Sequence, residues 1–266
     1  MQTVPNSVQQ ITRSSAPLPY LVPRSAARLR CFDGQPQIPV LPATRLQLVL
    51  LLDQPSLDLQ AIGEVVLSDV GATLQAFRGA RSLPGNKFRR INSLEECIVL
   101  LGRAKLRHVL ALKPNAVSAC AAHAIRPLAA RARLTAELAG TIARRFRDID
   151  PTSAYLAGLL HEIGRIPALM NWKVAGADLK DIVSLGSLLA SEWGLPDFVE
   201  PTLQFTDCRV QPWAKLRRIV SIAWDMANAI SGGATAPRRV LSAQDLAQER
   251  SAQPRQSCPL RPIRIQ

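Results

Sequence analysis

The residues best suited to chemistry lie side by side. His161 and Glu162 fall near the end of the stretch Ser153-Ala-Tyr-Leu-Ala-Gly-Leu-Leu-His-Glu-Ile-Gly-Arg165. A ring nitrogen and a carboxylate oxygen on neighbouring residues at one helix end can hold a divalent metal, which activates water against a phosphoester. Such a site needs further ligands from other helices, and the chain has only three His: His108, His123 and His161. The plainer role for His161 is a core histidine whose ring packs and hydrogen-bonds. The other catalytic templates are empty, with no G-x-S-x-G, no P-loop and no G-x-G-x-x-G. The five cysteines, Cys31, Cys97, Cys120, Cys208 and Cys258, are odd in number and never spaced as CxxC. A disulfide scaffold or zinc site is not expected from them, and a reducing cytosol is.

A second set of residues could bind rather than react. Arg78, Arg81, Lys87, Arg89 and Arg90 fall close together with no acid among them, around the loop-forming Pro84 and Gly85. Arg103, Lys105, Arg107 and Lys113 form another basic group, and Arg144, Arg145 and Arg147 a third. The third sits where cations favour a helix C-terminus. The plain reading of all three groups is a solvated face. The sharper reading is a phosphate-rich or acidic partner, such as a nucleotide, a nucleic acid or a protein surface. No recognition helix, RNA-binding aromatic motif or zinc finger accompanies them. Trp172, Trp193, Trp213 and Trp224 are scattered and read as packing anchors.

The elements that must position these residues are helices. Thr44–Leu52 is a Leu-rich amphipathic segment stopped by Pro55, and Leu57–Leu67 places Leu59, Ile62, Val66 and Leu67 at helical spacing. A third helix is predicted over 70–80. Ser93-x-x-Glu96 reads as a capping box, Gly102 as the stop of that helix, and 103–112 as a further short helix. Leu128–Phe146 reads as a long Ala-rich helix with Pro127 just ahead of it, which would leave His123 outside. Asp150-Pro151 opens a helix over Thr152–Ile163 that Gly164 stops. Later helices are expected over 178–193, 197–205 and 213–230. No strand alternation and no repeat period stand out. The fold class is all-α, in two packed helical bundles.

Several of these segments, in order, resemble the HDOD (HD-related output) domain, a branch of the HD superfamily. Ser153–Arg165 is similar to the central helix that carries the superfamily's His-Asp metal pair. Pro39–Leu52 resembles the family's opening helix. Glu64-Val-Val-Leu-Ser-Asp69 with Thr73 resembles its second segment. Ile91–Gly102 and Glu192-Trp-Gly-Leu-Pro196 resemble two more. The resemblance implies an HD-like C-terminal bundle and a metal site, and this chain departs from that site position by position. The dyad reads His161-Glu162, and the longer side chain moves the carboxylate by about 1.5 Å against a tolerance of roughly 0.2 Å. Arg131 stands near the expected upstream His, and a cation repels a metal. Ile182 or Val183 and then Thr206-Asp207 fall where later ligands belong. His161, Glu162, Arg131 and Asp207 are therefore expected to be remnants, with no metal, no cofactor and no catalytic residues. The resemblance implies a non-catalytic bacterial regulator that works through a protein partner, in two-component or cyclic-di-GMP-linked signalling. A divergent metal phosphohydrolase and a basic nucleic-acid-binding module are the alternatives.

Composition divides the chain. It has 266 residues, 33 Lys or Arg against 20 Asp or Glu, and a net charge of +13. Eleven of its 20 prolines lie in residues 1–42 and 231–266. Residues 1–38 and 231–266 read as disordered tails, flanking a folded region at 39–230 that divides into bundles at 39–114 and 115–230. Residues 1–36 carry +3 and 231–266 carry +4, which leaves 13 − 3 − 4 = +6 between them. Hydrophobic residues make up 47 % of the chain, enough for a real core. The longest aliphatic run, Leu46–Leu52, is far short of the roughly 20 residues a membrane span needs. The first 20 residues lack an apolar signal core. A cytoplasmic location is expected.

Overall fold

The computed structural model describes residues 29–30, 38–85, 91–110, 119–170, 172–174, 181–203 and 213–232. Four helices build the first bundle: α1 (Pro42–Asp53), α2 (Leu59–Leu67), α3 (Val70–Arg81) and α4 (Leu94–Val109). The second holds α5 (Ala119–Ala143), α6 (Pro151–Leu160), a 3-10 turn at Ile163–Arg165, α7 (Ile166–Leu169), α8 (Ile182–Trp193), α9 (Val199–Leu203) and α10 (Ala214–Ile230). One hydrophobic core runs from Ile38 to Ala223 through both. The fold is all-α, as the helical periodicity implies. No described helix is long and apolar enough to cross a membrane.

Caps set the helix starts. Asp58 accepts the Ala61 amide at 2.9 Å, and Ser93 Oγ accepts the Glu96 amide at 3.2 Å. The Glu96 carboxylate reaches back to the Asn92 amide at 3.4 Å, one residue before the partner a capping box calls for. Gly102 takes φ +61° and kinks α4 between two helical halves, as a glycine stop at that position predicts. Asp69 does more than cap α3. Its buried carboxylate accepts the Gly71 amide at 2.8 Å and the Ala72 amide at 3.3 Å, and its second oxygen accepts the Leu41 amide at 2.7 Å. That last bond ties the entry to α1 onto the start of α3. Asp69→Ala should cost about 2 kcal/mol in urea unfolding, because it removes a cap and strands a part-buried amide.

Three expectations need correction. The long helix starts at least as early as Ala119, so Pro127 lies inside it and His123 belongs to it. Burial of Ile125 and Leu128 on either side holds the helix through the proline, and tertiary packing outweighs a missing amide. The helix of the His-Glu motif ends at Leu160, and a 3-10 turn follows from Ile163. The N-terminal region is not wholly a tail. Leu29 and Arg30 form a two-residue strand, β1, antiparallel to β2 (Lys173–Val174). Two residues are too few for alternation to register in a sequence. Ile38 is buried, and its carbonyl accepts from Gln75 Nε2 at 3.1 Å.

Close backbone contacts bring the motif into place. Ala132, Ala136, Ala139 and Ala143 line the buried stripe of α5. A Cβ at Gly158 of α6 would lie 2.9 Å from Ala136 Cα, so the two helices meet almost backbone to backbone. Asp150 starts α6 by accepting the Ser153 amide and hydroxyl, each at 2.8 Å.

Candidate functional site

His161 follows the last turn of α6 and is buried. Its Nδ1 lies 2.6 Å from the Gly158 carbonyl oxygen. A carbonyl only accepts, so Nδ1 carries the proton and Nε2 keeps its lone pair. Burial pushes the imidazole pKa below its ordinary value, against the pull of Glu162 and of the Gly158 carbonyl. His161 is neutral at pH 7.

Glu162 carries the charge of the site, and two arginines surround it. Arg131, from the middle of α5, makes a two-point contact, Nε to Oε2 at 2.7 Å and Nη2 to Oε1 at 3.2 Å. Arg165, from the 3-10 turn, places Nε 2.8 Å from Oε1. His161 Nε2 is 3.8 Å from Oε2. The Glu162 side chain is 4 % exposed, that of Arg131 28 % and that of Arg165 45 %, so the carboxylate is the buried centre and the arginines reach outward. Burial opposes its ionisation, but the guanidinium groups of Arg131 and Arg165 outweigh that and hold its pKa below the usual range.

This geometry does not fit a divalent cation. Both Glu162 oxygens are engaged by guanidinium groups, which present five N–H donors and no lone pair. A metal at the carboxylate would meet two fixed positive charges. Ile182 and Val183, where the resemblance expects a ligand, carry no donor and are partly exposed. His123 is exposed on α5, eight residues before Arg131. That is about 12 Å along a helix. No group of three or more His, Cys, Asp or Glu side chains among the described residues is arranged to hold a metal. Asp207 lies outside the described residues.

The two basic residues given to a surface loop lie elsewhere. Arg78 and Arg81 occupy the last turn of α3. The Arg78 guanidinium sits 5.9 Å from the centre of the Trp193 ring. A Cβ at Gly194 would be 2.5 Å from Arg81 Nη1. Both arginines therefore pack on the Trp193-Gly194 corner and join the two bundles. The aliphatic stem and flat head of arginine suit a site against an aromatic face. Lys87, Arg89 and Arg90 lie outside the described residues. Trp193 itself meets Trp172 edge to face at 6.2 Å, and Trp213 packs on Phe198 at 6.0 Å.

Acid should undo the site in two steps. The folded pKa values of His161 and Glu162 are both lowered, so the unfolded chain binds more protons, and stability falls as pH falls. The His161 contribution is complete above an unfolded pKa of about 6.5 and is lost below it. That of Glu162 is lost from about 4.3 downward. Asp69, whose pKa burial raises, works in the opposite sense. Melting temperature measured against pH should drop first below about 6.5, and His161→Asn should remove that first drop.

The comparisons agree with the fold. The family model of the HDOD domain matches residues 38–179, more than half of the chain. A crystal structure of the MmoQ response regulator from Methylococcus capsulatus aligns at 20 % identity with a TM-score of 0.59, covering 80 % of this chain and 97 % of that one. A second, of the MmoQ fragment 20–298, aligns at 19 % identity and TM-score 0.57, over 81 % and 90 %. An HDOD domain protein of unknown function from Geobacter sulfurreducens aligns at 20 % identity and TM-score 0.36, over 79 % and 80 %. No curated protein matches the chain. On the ordered motifs, the helical fold and the matched region together, the chain belongs to the HDOD family.

Proposed function

We propose that this HDOD protein is a non-catalytic regulatory module that acts by binding a protein partner. The observation that carries this is the Arg131–Glu162–Arg165 cluster. Where a metal phosphohydrolase would place a cation and its water, this chain has an internal ion pair. The cluster ties α5 to the turn after α6, so the former centre serves as a joint in the scaffold. Signalling is the setting the family supplies, and a structural relative is itself a response regulator. Two-component or cyclic-di-GMP-linked control is the specific context proposed here.

The test has two arms. Full-length protein is assayed against cyclic di-GMP and a generic phosphodiester in manganese, magnesium or iron, and it is used as bait in an extract of its own organism. No turnover above a His161→Ala control, with reproducible capture of a signalling protein, is the expected result. Turnover that His161→Ala abolishes would overturn the proposal.

A further inference from the structure

The cluster at Glu162 holds more positive charge than negative. His161 is neutral, Glu162 supplies the one carboxylate, and Arg131 and Arg165 supply two guanidinium groups. Both arginines share that carboxylate, and among the described residues neither meets another acid. The acids of the adjoining helices are turned elsewhere. Asp181 accepts the Ser184 amide at 3.0 Å at the start of α8, and Glu137 of α5 pairs with Arg133 at 2.9 Å. Two like charges are thus held side by side with a single counter-charge between them, an arrangement that a further anion relieves.

The donors for such an anion are present. A guanidinium carries five N–H groups. Glu162 engages two of those on Arg131 and one on Arg165, and the rest have no partner among the described residues. The Arg165 side chain is 45 % exposed and that of Arg131 28 %, so solvent reaches both. The surroundings favour an organic anion over a bare ion. The turn that carries Arg165 runs into α7 and packs on the start of α8, where the Ile182 carbonyl oxygen crowds Gly164. These two segments present three exposed large apolar residues, Leu169, Ile182 and Val183. Arginine forks match phosphate oxygens in two-point contacts, and a phosphate monoester is mostly dianionic at neutral pH.

We propose that the outward donors of Arg165 and Arg131 bind the phosphate group of a small organic phosphate, with no metal between them. The inference rests on the metal-free reading of this site given above, and its test separates the two.

The experiment is isothermal titration calorimetry of the full-length protein in EDTA at neutral pH and fixed ionic strength. The probes are phenyl phosphate, inorganic phosphate and benzoate. Phenyl phosphate should bind with one site per chain, inorganic phosphate more weakly because it lacks an apolar body, and benzoate least. Arg165→Gln should lose about tenfold or more in affinity for phenyl phosphate, the scale of a lost charge-assisted contact. Arg165→Lys keeps the charge beside Glu162 but not the fork, and should lose severalfold. Glu162→Gln removes the competing carboxylate and should bind severalfold more tightly. Arg133→Gln, at an exposed cation on the same helix as Arg131, should match the wild type. Melting temperatures confirm that each variant folds. No binding at millimolar phenyl phosphate, equal affinity in Arg165→Gln and the wild type, or benzoate binding as tightly as phenyl phosphate would overturn the proposal alone. Binding that appears only when manganese replaces the EDTA would overturn the metal-free reading with it.

Discussion

Arg131→Ala should destabilise the protein by about 3 kcal/mol, because it leaves the buried Glu162 carboxylate facing His161 with only the more exposed Arg165 as counter-ion. Breaking a buried ion pair from one side costs far more than the pair contributes, since the remaining charge has lost its water. Replacing both partners should be much milder. In Arg131→Met/Glu162→Met the charge and its counter-charge leave together, and Arg165 returns to solvent. The double variant should recover most of the loss, with a coupling of about 2 kcal/mol in a double-mutant cycle. Urea unfolding of the four proteins checks this. Additive losses would show that the two side chains do not act as a unit.

Gly164→Ala should be at least as damaging. A Cβ at this position would lie 1.8 Å from the Ile182 carbonyl oxygen and 2.9 Å from the Gly186 amide nitrogen. Both obstacles are backbone, so no rotamer change relieves them. Either the 3-10 turn that carries Arg165 moves, or the start of α8 does. The expected cost is about 3 kcal/mol or more, at the upper end for overpacking. Gly63→Ala in α2 is the matched control. Its Cβ would meet only Ile98 Cδ1, at an ordinary 3.7 Å. There the gain in helix propensity should stabilise the protein by about 0.5–1 kcal/mol. Thermal melts of the two variants should shift in opposite directions.

Much of the scaffold was legible because its signals are local. Ser93 caps a helix within three residues, Gly102 breaks α4 where it stands, and Asp150-Pro151 starts α6. Pro127 misled because a proline's local penalty was overruled by burial of Ile125 and Leu128, which only tertiary structure shows. The site was half legible. The motif pointed to His161 and Glu162, and Arg131 stood near a missing ligand. That Arg131 grips Glu162 from 31 residues away could not be read from spacing. Arg165 could have been found, since Glu162 and Arg165 are an i,i+3 pair of opposite charge. For Arg78 and Arg81 the run of cations around Pro84 and Gly85 hides that they end α3, and their contacts with Trp193 and Gly194 come from far along the chain.

The central claim is that an arginine-clasped glutamate has replaced the metal centre. Its most direct test is the metal content of the full-length protein, purified without chelator and then incubated with manganese, iron or zinc. The account predicts no stoichiometric ion in any sample, and the same trace level in His161→Ala and Glu162→Ala. About one ion per chain, lost when His161 is replaced, would contradict it.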